Sequence, residues 1–309
     1  MTTNPQRTYP LRIIQPVGIT PDVVVSTNVP DDDLEEFDYA TPYSVGERIV
    51  DPSTQKVWES LADENEGNIP WLSPDKWGSP GVTNKWRLFD EKVSTMTYNP
   101  NEITYRFKVG RAISNVVIMN VTNAVSVQVR VIDPTYGEAF NETRSLRPVP
   151  KRNWWWGWYF GRRTQRTQTI FDDLPSLPQA EIEVKILGNE LLGVGMLLLG
   201  DHRSFGKGVN YGARAGLTSY SRVLRDQDTG EVSLLRRPTS RRSNFTITLH
   251  DNEEEDFFRF LVEIEAVPVF VAAYGQKETL SGYGVLKNAD IIYSDFNETD
   301  CSVEFDGFI

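Results

Sequence analysis

Two histidines, His202 and His250, are all the imidazole in this 309-residue chain. They stand in no His-Glu-x-x-His or His-x-His spacing, the arrangements that bring two ring nitrogens to one zinc ion. No Gly-x-Ser-x-Gly frame for a nucleophilic serine is present. Gly206, Lys207, Gly208 and Gly212 supply glycines and a lysine, but not in the Gly-Lys-Ser/Thr order that cradles phosphate. That stretch reads as a loop between domains, with Lys207 a candidate subunit contact. Carboxylates are plentiful, and a glycosidase needs only two of them facing each other, roughly 5–10 Å apart. The evident pairs, Asp63 with Glu64 and Asp172 with Asp173, are chain neighbours, and neighbours on a strand point to opposite faces. Cys301 is the single cysteine, so no disulfide can close within the chain. No catalytic residue, metal or cofactor is expected. The chemistry to look for is binding.

Two clusters have the residue types for it. Tyr43, Trp58, Trp71, Trp77 and Trp86 concentrate more aromatic surface in one short segment than it can easily bury. Exposed rings suit sugar faces or a protein partner. Trp58 is the candidate core residue, with Tyr43, Trp71 and Trp77 left over as a sugar platform. The second cluster sets Arg147, Lys151, Arg152, Arg162, Arg163 and Arg166 around the run Trp154 to Phe160. Arginine beside aromatic rings can stack bases, grip a saccharide or sit at a membrane surface. The expected arrangement is a strand whose even positions, Trp154, Trp156, Trp158 and Phe160, face inward. Trp155 and Tyr159 would then face outward, and Arg152, Arg162 and Arg163 would meet carboxylates of a neighbouring subunit.

The elements around these clusters follow from composition and pattern. An apolar fraction of 39% with 24% charged residues is that of a folded chain rather than a disordered one. A net charge of −11 argues against general affinity for nucleic acid, which needs clustered cations. The N-terminus lacks the apolar core of a signal peptide. The most apolar run, Leu191 to Leu199, is too short to span a bilayer, so synthesis in the cytoplasm without stable membrane insertion is expected.

Residues 1–40 carry five prolines and read as an extended arm with short strands at Leu11–Gln15 and Val23–Thr27, followed by an acidic linker from Asp31 to Glu36. Residues 41–83 form two alternating runs about the turn Asp51-Pro52-Ser53-Thr54. Residues 84–200 are rich in strands with Pro- and Gly-bearing turns, the pattern of a sandwich. Residues 201–309 add strands around a hairpin at Asp226–Gly230 and one helix after Asp251, with Phe257, Phe260, Leu261 and Ile264 as its buried stripe. The expected fold is mainly β: a small three-stranded aromatic hairpin module, a central jelly-roll-like β-sandwich, and a C-terminal antiparallel β domain with one packed α-helix.

Tyr43, Gly46, Trp58, Ser60, Asn65, Pro70 and Trp86 match the pattern of small chitin-binding-type carbohydrate-binding modules. With the continuation from Thr83 to Asp90, the segment resembles the same element in bacteriophage tail proteins, where it precedes a β-sandwich. The remainder is similar in outline: a galactose-binding-like sandwich, then a β domain with one helix like that of distal-tail and tail-tube proteins. The resemblance implies a virion structural protein of the distal tail or baseplate, made in the host cytoplasm and not an enzyme. Its implied partners are tube, hub and fibre proteins and copies of itself in a homo-oligomeric ring. A receptor-binding tip recognising a host surface glycan is the alternative reading, and a polysaccharide-degrading tail enzyme the second.

Overall fold

Leu11, Ile13 and Ile14 are shut off from solvent, although the strand that holds them lies in what reads as a peripheral arm. The computed structural model describes residues 10–147, 155–160, 165–225, 230–250, 252–273, 277–293 and 299–308; of Gly157 and Trp158 only the backbone is described. The chain is mainly β, with large antiparallel sheets and one packed α-helix. It divides into two compact units, one of residues 18–198 and one of residues up to 17 together with 199 onward.

The first strand, β1 (Leu11–Pro16), belongs to the discontinuous unit. In the other unit β2 (Val24–Thr27) precedes a small sheet of β3 (Glu35–Glu36), β4 (Arg48–Val50), β5 (Lys56–Ser60) and β6 (Trp77–Val82). This sheet has four strands, not the three expected. The added one, β3, runs parallel to β4 and comes from the acidic stretch that reads as a linker. Phe37 explains the difference, because its ring packs on Tyr43 and Trp77 and draws the chain inward.

A 3-10 turn at Asn84–Phe89 leads to β7 (Thr97–Phe107), β8 (Asn115–Asp133) and β9 (Gly137–Ser145). After the short helix α1 (Trp155–Phe160) come β10 (Gln168–Phe171) and β11 (Glu181–Phe205). β7 pairs antiparallel with β2 and with β11, while β8 takes β10 along its first part and β9 along its second. The expected alternation is present: Ile103, Tyr105 and Phe107 are buried, as are Val127, Val129 and Val131. Phe89 meets the rings of Tyr105 and Phe107 edge-on at 5.6 and 5.9 Å, which ties the 3-10 turn to β7.

Between these alternating residues, Glu183 on β11 accepts from Arg106 on β7 and from Arg130 Nη1 on β8 at 3.1 Å. The hydrogen bond from Arg106 holds the Glu183 carboxyl below its usual range despite burial, and Arg130 adds to it. A depressed carboxyl pKa stabilises the fold above the unfolded value near 4.5, and that contribution disappears as pH falls through the folded value. Glu183→Gln is therefore expected to cost about 1–2 kcal/mol at neutral pH. Its deficit against the wild type in urea unfolding should shrink below about pH 4.

The segment from Trp155 to Phe160 corrects the expected strand, since it is helical and Trp155, Trp156, Tyr159 and Phe160 are all exposed. Where nearly every position is aromatic, no parity separates an inner face from an outer one. The flanking Arg152, Arg162 and Arg163 lie outside the described residues.

The discontinuous unit continues with β12 (Gly208–Val209), β13 (Arg214–Ser219), β14 (Arg222–Arg225), β15 (Val232–Leu235), β16 (Thr239–Thr248), α2 (Glu254–Glu263), β17 (Val269–Ala272), β18 (Ser281–Tyr293) and β19 (Thr299–Gly307). Its sheet runs from the last residues of β11 through β1, β17, β18, β19 and β16, all antiparallel, with β12 and β13 on the far edge of β16. β1 is thus paired on both sides, with Arg12 opposite both Ser204 and Ala272. This part of the expected arm is a core strand because Leu11 and Ile13 alternate onto the buried face.

Over that face lies α2, with Phe257, Phe260 and Ile264 turned into the core and Phe205 within 4.7 Å of Phe257 and 5.1 Å of Phe260. The helix is entered through Glu253, whose carboxylate accepts from the backbone N–H groups of His250 and Gly206. Asp251, the expected cap, lies outside the described residues. Its acidic first turn, Glu254 to Asp256, complements the helix dipole.

Cys301 on β19 is fully buried in the same core, and burial, reinforced by Asp290, pushes its thiol up to about 12. It is expected to resist a maleimide reagent at pH 8 for as long as the protein is folded and to react fully in denaturant. Labelling of the native protein within minutes would contradict that placement.

Candidate functional site

The small aromatic sheet is framed by the residues that carry the carbohydrate-module resemblance. Gly46, at φ +87°, turns the chain so that its N–H donates to the Ser60 carbonyl at 2.8 Å. Tyr43 and Asn65 exchange backbone hydrogen bonds at 3.3 and 3.0 Å. The buried Asn65 side chain donates to Ser60 Oγ at 3.0 Å and accepts from Asn68 at 2.8 Å. Asp51 organises the β4–β5 turn by accepting from Ser53 and Thr54. Burial pushes its carboxyl up, but the hydrogen bonds from Thr54 and Ser53 outweigh this and leave its pKa lowered.

The aromatic residues do not all play the role expected of them. Tyr43 and Trp77 are buried, 5.3 Å apart and edge-on, and Trp77 Nε1 donates to the Asn68 carbonyl at 2.8 Å. Trp86 is buried against Phe89 at 5.8 Å. Tyr43 and Trp77 are corrected from ligand platform to core, because a sheet this small needs large rings to have any interior; Trp86 is likewise buried, in the 3-10 turn that follows the sheet. Trp58, the expected core residue, is half-buried, and its indole N–H is enclosed without a protein partner. Trp71 is the one of the five that stands open, at 54% exposure, with its ring edge on Phe37. Two residues missed in the sequence, Tyr39 and Leu72, are also exposed.

A groove of about 860 Å³ lies elsewhere in the same unit, lined by Asn101, Glu102, Asn123, Gln165 and Glu190 among others. Its carboxamides suit hydroxyl-bearing ligands. Glu102 is engaged by Lys185 at 2.9 Å and by Thr104 at 2.8 Å, and the Lys185 contact holds its carboxyl below the usual range. Arg147 and Gln165, which bracket the basic aromatic segment, also belong to this lining.

A further exposed apolar feature is the hairpin of β14 and β15. Among the described residues these strands pair only with each other, Val223 opposite Leu234 and Leu224 opposite Ser233. Residues directly opposite share a face, so Val223, Leu234 and Val232 lie on one side and Leu224 and Leu235 on the other. All five are exposed. Gly230, at φ +74°, ends the loop as its position predicts; residues 226–229 lie outside the described ones. The hairpin is legible in the sequence. Its double apolar face is not named there, although the adjacent pairs Val223–Leu224 and Leu234–Leu235 carry that signal. Lys207 is exposed in the turn before β12, and its N–H donates to the Thr248 carbonyl at 2.7 Å.

Among the described residues no group of three His, Cys, Asp or Glu side chains could hold a metal ion, and no helix is long and apolar enough to cross a membrane. No protein-family model, curated protein or solved structure matches the chain.

Proposed function

We propose that this chain is a structural protein of a bacteriophage tail, of the distal-tail or baseplate type, which works by assembling with copies of itself and with tail neighbours. The observation that carries the assembly reading is the β14–β15 hairpin. A lone two-stranded hairpin is marginal in water, and this one presents valine and leucine on both faces. Such a surface is stabilised when a partner covers it. The tail assignment draws on the resemblance of the stretch from Tyr43 to Asp90 and on the order of strands and helix after residue 200. The role is binding without bond chemistry.

The mass of the purified protein, followed by light scattering over a range of concentrations, tests this reading. A discrete multimer, visible as a closed ring in the electron microscope, is the expected result. A monomer at every concentration and in low salt would overturn self-assembly.

Trp71, Tyr39 and Leu72 favour a second reading, contact with a host surface glycan, since an exposed indole and phenol present flat faces that suit sugar rings. Titration with chitooligosaccharides should then quench tryptophan fluorescence saturably, and Trp71→Ala should lower the affinity at least tenfold. An unaltered affinity in that variant would remove Trp71 from the site.

A further inference from the structure

Unit by unit, the chain presents two apolar surfaces of opposite charge on the same body. The first is the β14–β15 hairpin with its flanks. Residues 214–242 contain seven arginines against three carboxylates, within a chain whose net charge is −11. Arg222, Arg225, Arg236 and Arg237 are exposed beside the same-face pair Val223 at 65% and Leu234 at 62% exposure.

The second is the outer face of α2. Phe257, Phe260 and Ile264 turn inward, which leaves Phe258 at 57% and Val262 at 58% exposure. These two are four residues apart and share one face. Residues 252–265 hold six carboxylates and a single cation, Arg259, which pairs loosely with Glu255 and Asp256. An amphipathic helix that packs three large residues inward has no internal need for an outward phenylalanine. Both surfaces are open in the single chain, so neither covers the other there.

We infer that the hairpin of one copy docks on the outer face of α2 in the next copy, with Val223 and Leu234, which share one face of the hairpin, against Phe258 and Val262 and the hairpin arginines against the acidic rim. This deepens the self-assembly reading and rests on it. Charge complementarity singles out the occupant: hairpin against hairpin would set arginines against arginines, while hairpin against α2 joins opposite signs around an apolar centre. The two surfaces differ, so the contact is heterologous, and repetition from copy to copy generates a ring or a filament rather than an isolated dimer.

Cysteine pairing tests the geometry, because the native Cys301 is buried and does not compete. Leu234→Cys and Phe258→Cys proteins, carrying different tags, are mixed under mild oxidation. A disulfide joining the two tags, absent when either protein is oxidised alone, is the expected result. Self-linking of Leu234→Cys, or no link at all while the proteins remain multimeric, would overturn the docking and leave self-assembly standing.

Charge exchange gives a second readout. Arg222→Glu with Arg225→Glu should raise the concentration needed for assembly at least tenfold, and adding Glu254→Arg with Glu255→Arg should restore it. Retained assembly in the first variant, or failed restoration in the second, counts against the pairing. A wild-type protein that stays monomeric under all conditions would sink both readings together.

Discussion

Replacing Ile13 by aspartate is expected to abolish the folding of the unit that joins the first strand to residues 199–308. Ile13 has no exposed surface, lies between Arg203 and Val271 in the two neighbouring strands, and belongs to the core on which α2 packs. A carboxylate there has no cation inside the core to meet it. Burying a polar group without a partner costs roughly 2–7 kcal/mol, and an unpaired charge costs more. That is most of the total stability of about 5–15 kcal/mol typical of a domain. Calorimetry should show the transition of this unit lost while that of residues 18–198 remains. An Ile13→Asp protein melting like the wild type would mean that the N-terminal strand is not held in the sheet.

The second large effect is expected at Trp77. Its ring is 2% exposed, meets Tyr43 edge-on, and spends its only hydrogen-bond donor on the Asn68 carbonyl. Trp77→Ala should destabilise the small aromatic sheet by about 3–5 kcal/mol, the range for losing a large buried ring. Trp71→Ala, at a half-open position, should stay within about 0.5 kcal/mol of the wild type. Urea unfolding followed by the fluorescence of the remaining tryptophans separates the two. Equal effects from both substitutions would place the core of this sheet elsewhere.

Much of the fold was legible because its strands alternate. Ile103 to Phe107, Val127 to Val131 and Phe245 to Leu249 each show one buried face, and each reads from the chain alone. The helix after residue 252 was equally plain, from its apolar spacing and acidic first turn. Three features were not legible, each for a physical reason. β1 joins residues remote in sequence, and local pattern carries no record of which strand lies beside which. The Trp154–Phe160 run has no polar positions to set a period. Spacing alone cannot say which ring of a small sheet is its interior, and the choice fell on Tyr43 and Trp77 while Trp58 remained half-buried. For binding, exposure decided more than residue type did: five aromatic candidates reduce to one open ring, while the hairpin gains weight because its leucines have nothing beneath them.

The pairing of Arg12 with Ala272 also sets an order of events during synthesis. Leu11 to Pro16 is made well before its two sheet neighbours, residues 200–205 and 270–272, which arrive only after the whole of the 18–198 unit has been made. Until then the strand is an apolar segment with both edges unsatisfied, the kind of surface that traps nascent chains and slows folding through long loop closure. A chain cut short before β17 would keep that strand half-paired. Burial of Leu11, Ile13 and Ile14 therefore waits on β17, so a strand made early is covered only once residues far along the chain have been made.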